Sequence, residues 1–414
     1  MSKINLPLAL AILLFPFTAF SADPEPFRRD EIEGRNFSYS DKTFLHHFSY
    51  RHRAGWIDEW DDYRQGFRIT AGSISTRRMY VVNEFRKEID FSPRFYGELR
   101  FFRNEDFDSR YDRFLTGLGI KLPSNWKFGV YSDIVAEKEN VDLQFEAEWR
   151  ESPEAQTEKR YKKEGNRFRT AFILTDHFFN QKSRDGEYTS NPYTFFAEGR
   201  YIPKEGSSIS SWINFNPRTR LEFFEDEFSF IYRQFTGGAR VKLPILYNTN
   251  LYITLKAEEG LRKREALSEG FTTARDMRRY NEIFEAEITQ DLNHEFQVWG
   301  GARYFRLLEK DRISSALKQE GELLRREPII YSGILWKIEE NIFFWPGIFI
   351  SFLDNKNTST VDAQEEKTSD TIGKIDLPIE YQLSNHEAKF VFNPTFQFPR
   401  DFFGGFNVQV QFLL

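Results

Sequence analysis

Cysteine is absent from the 414 residues, and methionine nearly so, at three. Without thiols there is no disulfide framework, no thiolate metal site, no cysteine nucleophile and no cysteine-borne lipid anchor. Positive charge is not in excess: 57 Lys and Arg stand against 63 Asp and Glu, a formal net charge of −6. A general nucleic-acid binder needs the opposite balance. Long apolar runs are missing too. Beyond the first twenty residues the longest is Ile342 to Leu353, bounded by Asn341 and Asp354. With a mean hydropathy of −0.59, this excludes a bundle of membrane-spanning helices. Gly-x-Ser-x-Gly, His-Glu-x-x-His and Gly-Lys-Ser/Thr are all absent, which removes the common hydrolase, zinc-protease and phosphate-loop signatures.

What the chain has in quantity is aromatic side chains: 45 Phe, 18 Tyr and 8 Trp, 17% of all residues. Aromatics mixed with many charges favour strands over helices. The N-terminus is different. Lys3, the apolar stretch Leu6–Phe17 and the small-x-small triplet Ala19-Phe20-Ser21 read as a signal peptide over residues 1–21. The apolar stretch is too short for a comfortable membrane anchor. Residues 22–42 are polar and irregular, too short to build a domain with its own core.

From residue 43 onward the recurring pattern is alternation. Leu143, Phe145, Ala147 and Trp149 alternate with Gln144, Glu146, Glu148 and Arg150, continuing Val141 and Asp142. Leu251, Ile253, Leu255 and Ala257 alternate with Tyr252, Thr254, Lys256 and Glu258. Ile375, Leu377, Ile379, Tyr381 and Leu383 alternate with Lys374, Asp376, Pro378, Glu380 and Gln382. Period 2 places each set on one face of a strand. The segments run to about 10–13 residues, long for a soluble sandwich and right for a tilted transmembrane strand. Full charges on one face suit a wet interior, and apolar residues on the other suit lipid.

The connections carry a second pattern. Pro123-Ser124-Asn125, Asp291-Leu292-Asn293, Glu339-Glu340-Asn341 and Ser384-Asn385 read as tight turns. Residues 262–276, 308–327 and 354–371 read as long polar connectors. Ile313, Leu317 and Leu324 stand near helical spacing within the second, which suggests a short helix on the rim or a loop folded inward. At the C-terminus Phe406, Val408, Val410, Phe412 and Leu414 are apolar at every second position. This ending resembles the assembly signal of bacterial outer-membrane β-barrels, with Leu in place of the usual final Phe. The resemblance implies an all-β transmembrane antiparallel barrel over residues 43–414, in the bacterial outer membrane, with both termini in the periplasm and residues 22–42 as a periplasmic tail or plug segment.

A walk along the alternation gives strands near 43–53, 64–86 and onward to 404–414. The total is 18 strands, with 16 as the alternative. One connector, 151–166, is long yet falls on the side of the tight turns. The presumed inward charges are Glu98, Arg100, Asp142, Glu146, Glu148, Arg150, Glu198, Arg200, Lys256, Glu258, Glu285, Glu287, Arg303, Lys374, Asp376 and Glu380, of mixed sign. The spacings Glu98/Arg100 and Glu198/Arg200 suggest ladders of ion pairs bracing the wall. Trp126, Trp149, Trp212, Trp336 and Trp345 fall near strand ends, where interfacial aromatic girdles form.

No metal or cofactor is implied. His46 and His52 share a strand face about 20 Å apart, too far to share one ion. Asp354 and Glu365 stand first and twelfth in a stretch with Lys356 at the third position and Ser359 in place of the required Gly, which rules out an EF-hand. The first functional expectation is a channel for small polar solutes or a secreted polymer. A non-conducting surface protein binding through its loops is second, and an outer-membrane enzyme third. The implied partners are outer-membrane lipid, the barrel-assembly machinery and an unidentified solute or polymer, with no nucleic acid.

Overall fold

The computed structural model describes residues 66–74, 78–106, 110–133, 143–151, 165–174, 186–190, 193–204, 206–223, 228–266, 274–314, 319–359, 364–383, 388–399 and 403–413. The expected signal peptide, the tail 22–42, the strand 43–53 and residues Asp142, Leu317 and Leu414 lie outside these. So does the expected turn at Ser384-Asn385.

The strands are β1 (Gly66–Ile74), β2 (Arg78–Asp90), β3 (Phe95–Asp106), β4 (Arg110–Leu122), β5 (Trp126–Asp133), β6 (Leu143–Arg150) and β7 (Arg167–Leu174). Next come β8 (Gly186–Ser190), β9 (Tyr193–Tyr201), β10 (Ser208–Phe223), β11 (Phe228–Leu246), β12 (Thr249–Ala266), β13 (Ala274–Asp291) and β14 (Phe296–Ser314). The last are β15 (Gln319–Glu339), β16 (Ile342–Phe344), β17 (Gly347–Ser359), β18 (Gln364–Asp376), β19 (Ile379–Gln382), β20 (Ala388–Phe398) and β21 (Phe403–Leu413).

Every pairing is antiparallel, and the ladder returns to its start: β1 pairs β2 along one edge and β21 along the other. Closing the sheet leaves no open edge, the condition for a sheet in lipid. Three neighbouring pairs of segments are single staves with an interruption. β8 and β9 both pair β10, β16 and β17 both pair β15, and β18 and β19 both pair β20. The 21 segments therefore make eighteen staves among the described residues.

Two expectations about the elements are corrected. The stretch read as one strand over 64–86 is two, β1 and β2, paired face to face from Gly66↔Arg86 to Ile74↔Arg78. The alternation continues across the reversal, so period alone does not report it. The connectors at 262–276, 308–327 and 354–371 are largely strand. β12 runs to Ala266, β14 and β15 pair out to Ile313↔Gln319, and β17 and β18 pair out to Ser359↔Gln364. Ile313 and Leu324 sit in strands, so no helix forms there among the described residues. A polar hairpin above the membrane lacks the apolar face that marks a strand, which is why it reads as loop.

The wall is consequently uneven. β5, β6 and β7 have 8 residues each, whereas β15 has 21. At about 3.3 Å per residue these are roughly 26 Å and 70 Å along the strand. The tight turns and the end of β21 share one rim. There the long connector 151–166 is closed at its base by Glu151 N–H donating to Asn166 O at 2.9 Å. Asn125 Nδ2 donates to Glu151 O at 2.9 Å, and Ile202 N–H to Asn166 Oδ1 at 2.6 Å, tying three turns together.

Candidate functional site: the inner face of the barrel

Burial is inverted relative to a soluble protein. Leu118, Phe128, Val130, Phe145, Phe172, Leu255, Ile288, Ile330 and Phe352 are exposed, while Glu98, Glu146, Glu285, Glu287, Glu327, Lys374, Asp376 and Glu380 are buried. The apolar set faces out, towards lipid, and the polar set faces in. Arg100, Glu148, Arg150, Glu198, Arg200, Lys256, Glu258 and Arg303 share the inward parity. On β21 the parity is the same: Asn407 and Gln409 are buried, Val408 and Phe412 exposed. Phe406 and Val410, half-buried, share the outer face. Phe412 meets Phe390 of β20 edge-on, ring centroids 6.1 Å apart.

The outer belt has a sharp upper edge. Along β15, Ile338, Trp336, Ile334, Ser332, Ile330 and Pro328 face out, and the next outward residue is Arg326. Level with it around the wall are Glu282, Arg306 and Asp354, each directly opposite its neighbour in the ladder. From Pro328 to Ile338 the belt spans 11 residues of β15, the length of a tilted transmembrane strand. Aromatics mark the lower edge. Trp126 lies opposite Trp149, and Trp336 stacks on Phe296 at 5.8 Å. Trp212 does not belong to this girdle: it lies inside, where a Cβ on Gly238 would come within 2.2 Å of its ring.

Inside, two clasps of the same design hold the wall. In the first, Tyr131 of β5 lies flat across β4 and donates its hydroxyl to Glu98 of β3 at 2.8 Å. The crossing is possible because β4 presents Gly117 and Gly119. A Cβ on Gly117 would meet the Tyr131 ring at 2.2 Å, and one on Gly119 the Tyr96 ring at 2.3 Å. Arg100 lies over Tyr131, 4.2 Å from the ring centroid, and reaches from β3 to Glu146 on β6. Its Nη1 and Nη2 donate to that carboxylate at 2.5 and 2.7 Å, and Nε and Nη2 donate to Glu98 at 2.9 Å each. Arg86 of β2 also binds Glu98. Arg169 of β7 binds Glu146 at 2.8 Å and approaches Glu198 of β9 at 3.7 Å. The result is a continuous chain from β2 to β9 of alternating sign.

In the second clasp, Tyr331 of β15 crosses β14 at Gly301 and donates to Glu285 of β13 at 2.5 Å, with Glu287 at 3.3 Å. A Cβ on Gly301 would lie 2.7 Å from the Tyr331 hydroxyl and 2.3 Å from Ala286 O. Arg303 stands 3.6 Å from Glu285. Trp299 and Phe349 pack on Tyr331, with centroids 5.7 Å away in each case. Beyond them Arg325 pairs with Glu327 at 2.5 Å, Ser351 donates to Glu327 at 2.5 Å, and Lys374 pairs with Asp376 at 3.3 Å.

The alternation marks the face of Glu98, Arg100 and Glu146, but not which strands they join. The bridge from Arg100 to Glu146 crosses two intervening strands, and no spacing in one dimension reports it. Tyr96, Tyr131, Tyr331 and Arg169 were not singled out from the sequence. The signal that could have found the three tyrosines is an aromatic on the inward parity beside inward glycines. A further inward group, Asn393, Thr395, Gln397, Asn407 and Gln409 on β20 and β21, is buried and uncharged. His294, in the turn after β13, is 3.4 Å from Glu295 and largely exposed. Among the described residues no group of His, Asp and Glu is placed to hold a metal.

Above the belt, Glu309 faces inward on β14, 3.8 Å from Arg279. Burial raises its pKa from the ordinary value; Arg279 opposes the shift and Asp311 adds to it, leaving it at about 7. Asp311 itself is bound by Arg275 at 2.6 Å.

No family model matches the chain, and no curated protein does. Among solved structures, the chain is similar to the translocator domain of the autotransporter NalP from Neisseria meningitidis. Identity is 9%, coverage 90% of this chain and 97% of that one, and the TM-score 0.35. It is also similar to OprD of Pseudomonas aeruginosa, at 12% identity, 84% and 94% coverage and a TM-score of 0.41. A third is OmpT, an outer membrane protein of Vibrio cholerae, in a form lacking loop L8, at 12% identity, 84% and 97% coverage and a TM-score of 0.36.

Proposed function

We propose that this transmembrane β-barrel is an outer-membrane channel, passing small polar solutes or a secreted polymer through a lumen of mixed charge. The observation that carries the reading is the direction of the inner ion pairs. Each pair described above joins strands at most three places apart around the ladder, so the charges lie along the wall instead of bracing one side against the other. A barrel of 16–18 strands leaves an aqueous channel once its side chains are folded against the wall. The inner carboxylates and guanidiniums neutralise one another locally, which suits polar cargo better than an ion of one sign.

In this reading the tight-turn rim and both termini face the periplasm, and the tall hairpins of β10–β18 stand outside the cell. β21, closed against β1 with its apolar residues outward, is what the barrel-assembly machinery reads. The test is conductance of the purified barrel in a planar bilayer. Stable steps with weak ion selectivity are expected. A silent bilayer, with folding verified by heat-modifiable gel mobility, would sink the open channel. It would favour a surface protein that binds through the tall hairpins.

A further inference from the structure

We infer that the outer face of β13–β18, at the upper edge of the apolar belt, binds the phosphates of a phosphorylated glycolipid in the outer leaflet. The ladder carries a conflict of charge at this level. Arg306 of β14 lies directly opposite Arg326 of β15, and one level higher Lys356 of β17 lies directly opposite Lys367 of β18. All four take the outward parity. Like charges facing each other across a ladder are destabilising, so a wall that places two such pairs side by side needs anions there.

The chain's own carboxylates answer only half of this need. Glu282 binds Arg306 at 3.1 Å, and Glu365 binds Lys356 at 3.0 Å. Asp354, opposite Arg326 in the ladder, accepts from Ser369 Oγ at 3.4 Å. Among the described residues Arg326 and Lys367, one from each conflicting pair, have no ion-pair partner, and both are exposed. A bound phosphate brings its charge to both pairs, and guanidinium presents the donor geometry that phosphate oxygens accept.

The position selects a lipid over a free anion. Directly below the cations the outer face is apolar and exposed: Tyr304, Pro328 and Phe352 stand one level down from Arg306, Arg326 and Asp354, and Ile330 one level lower still. Leu308 and Leu324 face each other on the level of the lysine pair, with Leu324 directly opposite Lys356. A molecule with phosphates at its head and acyl chains beneath meets both surfaces at once. The site rests on the outward orientation of the tall wall proposed above. It does not depend on whether the lumen conducts.

The test uses the full refolded barrel in neutral detergent. It is titrated with a bisphosphorylated glucosamine-disaccharide lipid and with the same lipid stripped of phosphate, with complexes counted by native mass spectrometry. Wild type should hold the phosphorylated lipid about tenfold more tightly, the factor for two modest ion pairs. R326Q/K367Q should lose that preference while keeping its binding of the stripped lipid. Excess inorganic phosphate should displace little of the lipid. Equal affinity of the wild type for the two lipids would overturn the site without reference to any variant. So would an R326Q/K367Q barrel, folded by its gel mobility, that keeps the preference. Full displacement by inorganic phosphate would overturn the lipid assignment in favour of the free anion. A barrel that conducts yet ignores the phosphates would remove this site alone, whereas a silent barrel that binds them would remove only the channel.

Discussion

The two clasps share a plan and differ in how they settle their charge. In both, a tyrosine crosses a glycine on the next strand and donates to a buried glutamate two strands away. In the first, Arg100 grips Glu98 and Glu146 with paired bonds at 2.5–2.9 Å. In the second, Arg303 stays 3.6 Å from Glu285 and the tyrosine makes the shorter contact, at 2.5 Å. The first sits among strands of 8 to 13 residues, the second among strands of 18 to 21. Short strands have few ladder bonds, so side chains must hold that part of the wall. The long hairpins hold themselves and leave their inner charges looser.

The largest test of this difference is the arginine. Arg100→Met takes away the arginine shared by two buried carboxylates, leaving Glu98 to Arg86 and Glu146 to Arg169, a change expected to cost about 3–5 kcal/mol or to prevent folding. Arg303→Met should cost about half as much. Urea unfolding of the barrel in detergent measures both, and equal losses would end the distinction.

The looseness of the second region extends above the belt to Glu309, whose pKa stands at about 7. Its carboxyl is neutral more readily in the folded state than in the unfolded chain. The stabilisation it gives is complete below about pH 4.5 and lost as pH rises through about 7, at most about 3 kcal/mol in all. Unfolding titrations at pH 5 and pH 8 should therefore converge in Glu309→Gln. An unchanged pH slope in that variant would assign the effect elsewhere.

The glycine crossings come next. Gly117→Ala and Gly301→Ala each press a methyl onto a ring or a backbone oxygen, with an expected overpacking cost of about 1–3 kcal/mol. The smallest effects belong to the hydroxyls. Tyr131→Phe should cost about 1 kcal/mol, because two arginines still serve Glu98. Tyr331→Phe should cost about 2 kcal/mol, because the tyrosine is the closer donor to Glu285. The order of the tyrosine losses is thus the reverse of the order for the arginines. If Tyr131→Phe proves the more damaging, the two regions do not divide their labour as described.

Much of the architecture is legible in the sequence. Leu143 to Arg150 and Leu251 to Glu258 announce both the strand and its two faces. Glu98, Arg100 and Glu146 are recognisable as inward, since side-chain direction follows from backbone pleat alone. Legibility ends where the apolar face ends. Residues 308–327 carry polar side chains on both faces, and their pairing is visible only in the ladder. The stretch 64–86 hides a reversal because its alternation runs on through the turn.

The sequence by itself determined that this chain makes alternating strands with an apolar and a charged face, since a period of two is a local property of each residue and its neighbours. Only the tertiary structure decided which charges meet. Arg100 finds Glu146 because two glycine-bearing strands between them let the side chains lie flat across the wall. Arg306 is set against Arg326, and Lys356 against Lys367, by the register of hairpins. Register and wall curvature are properties of the closed ladder, and no single strand encodes them.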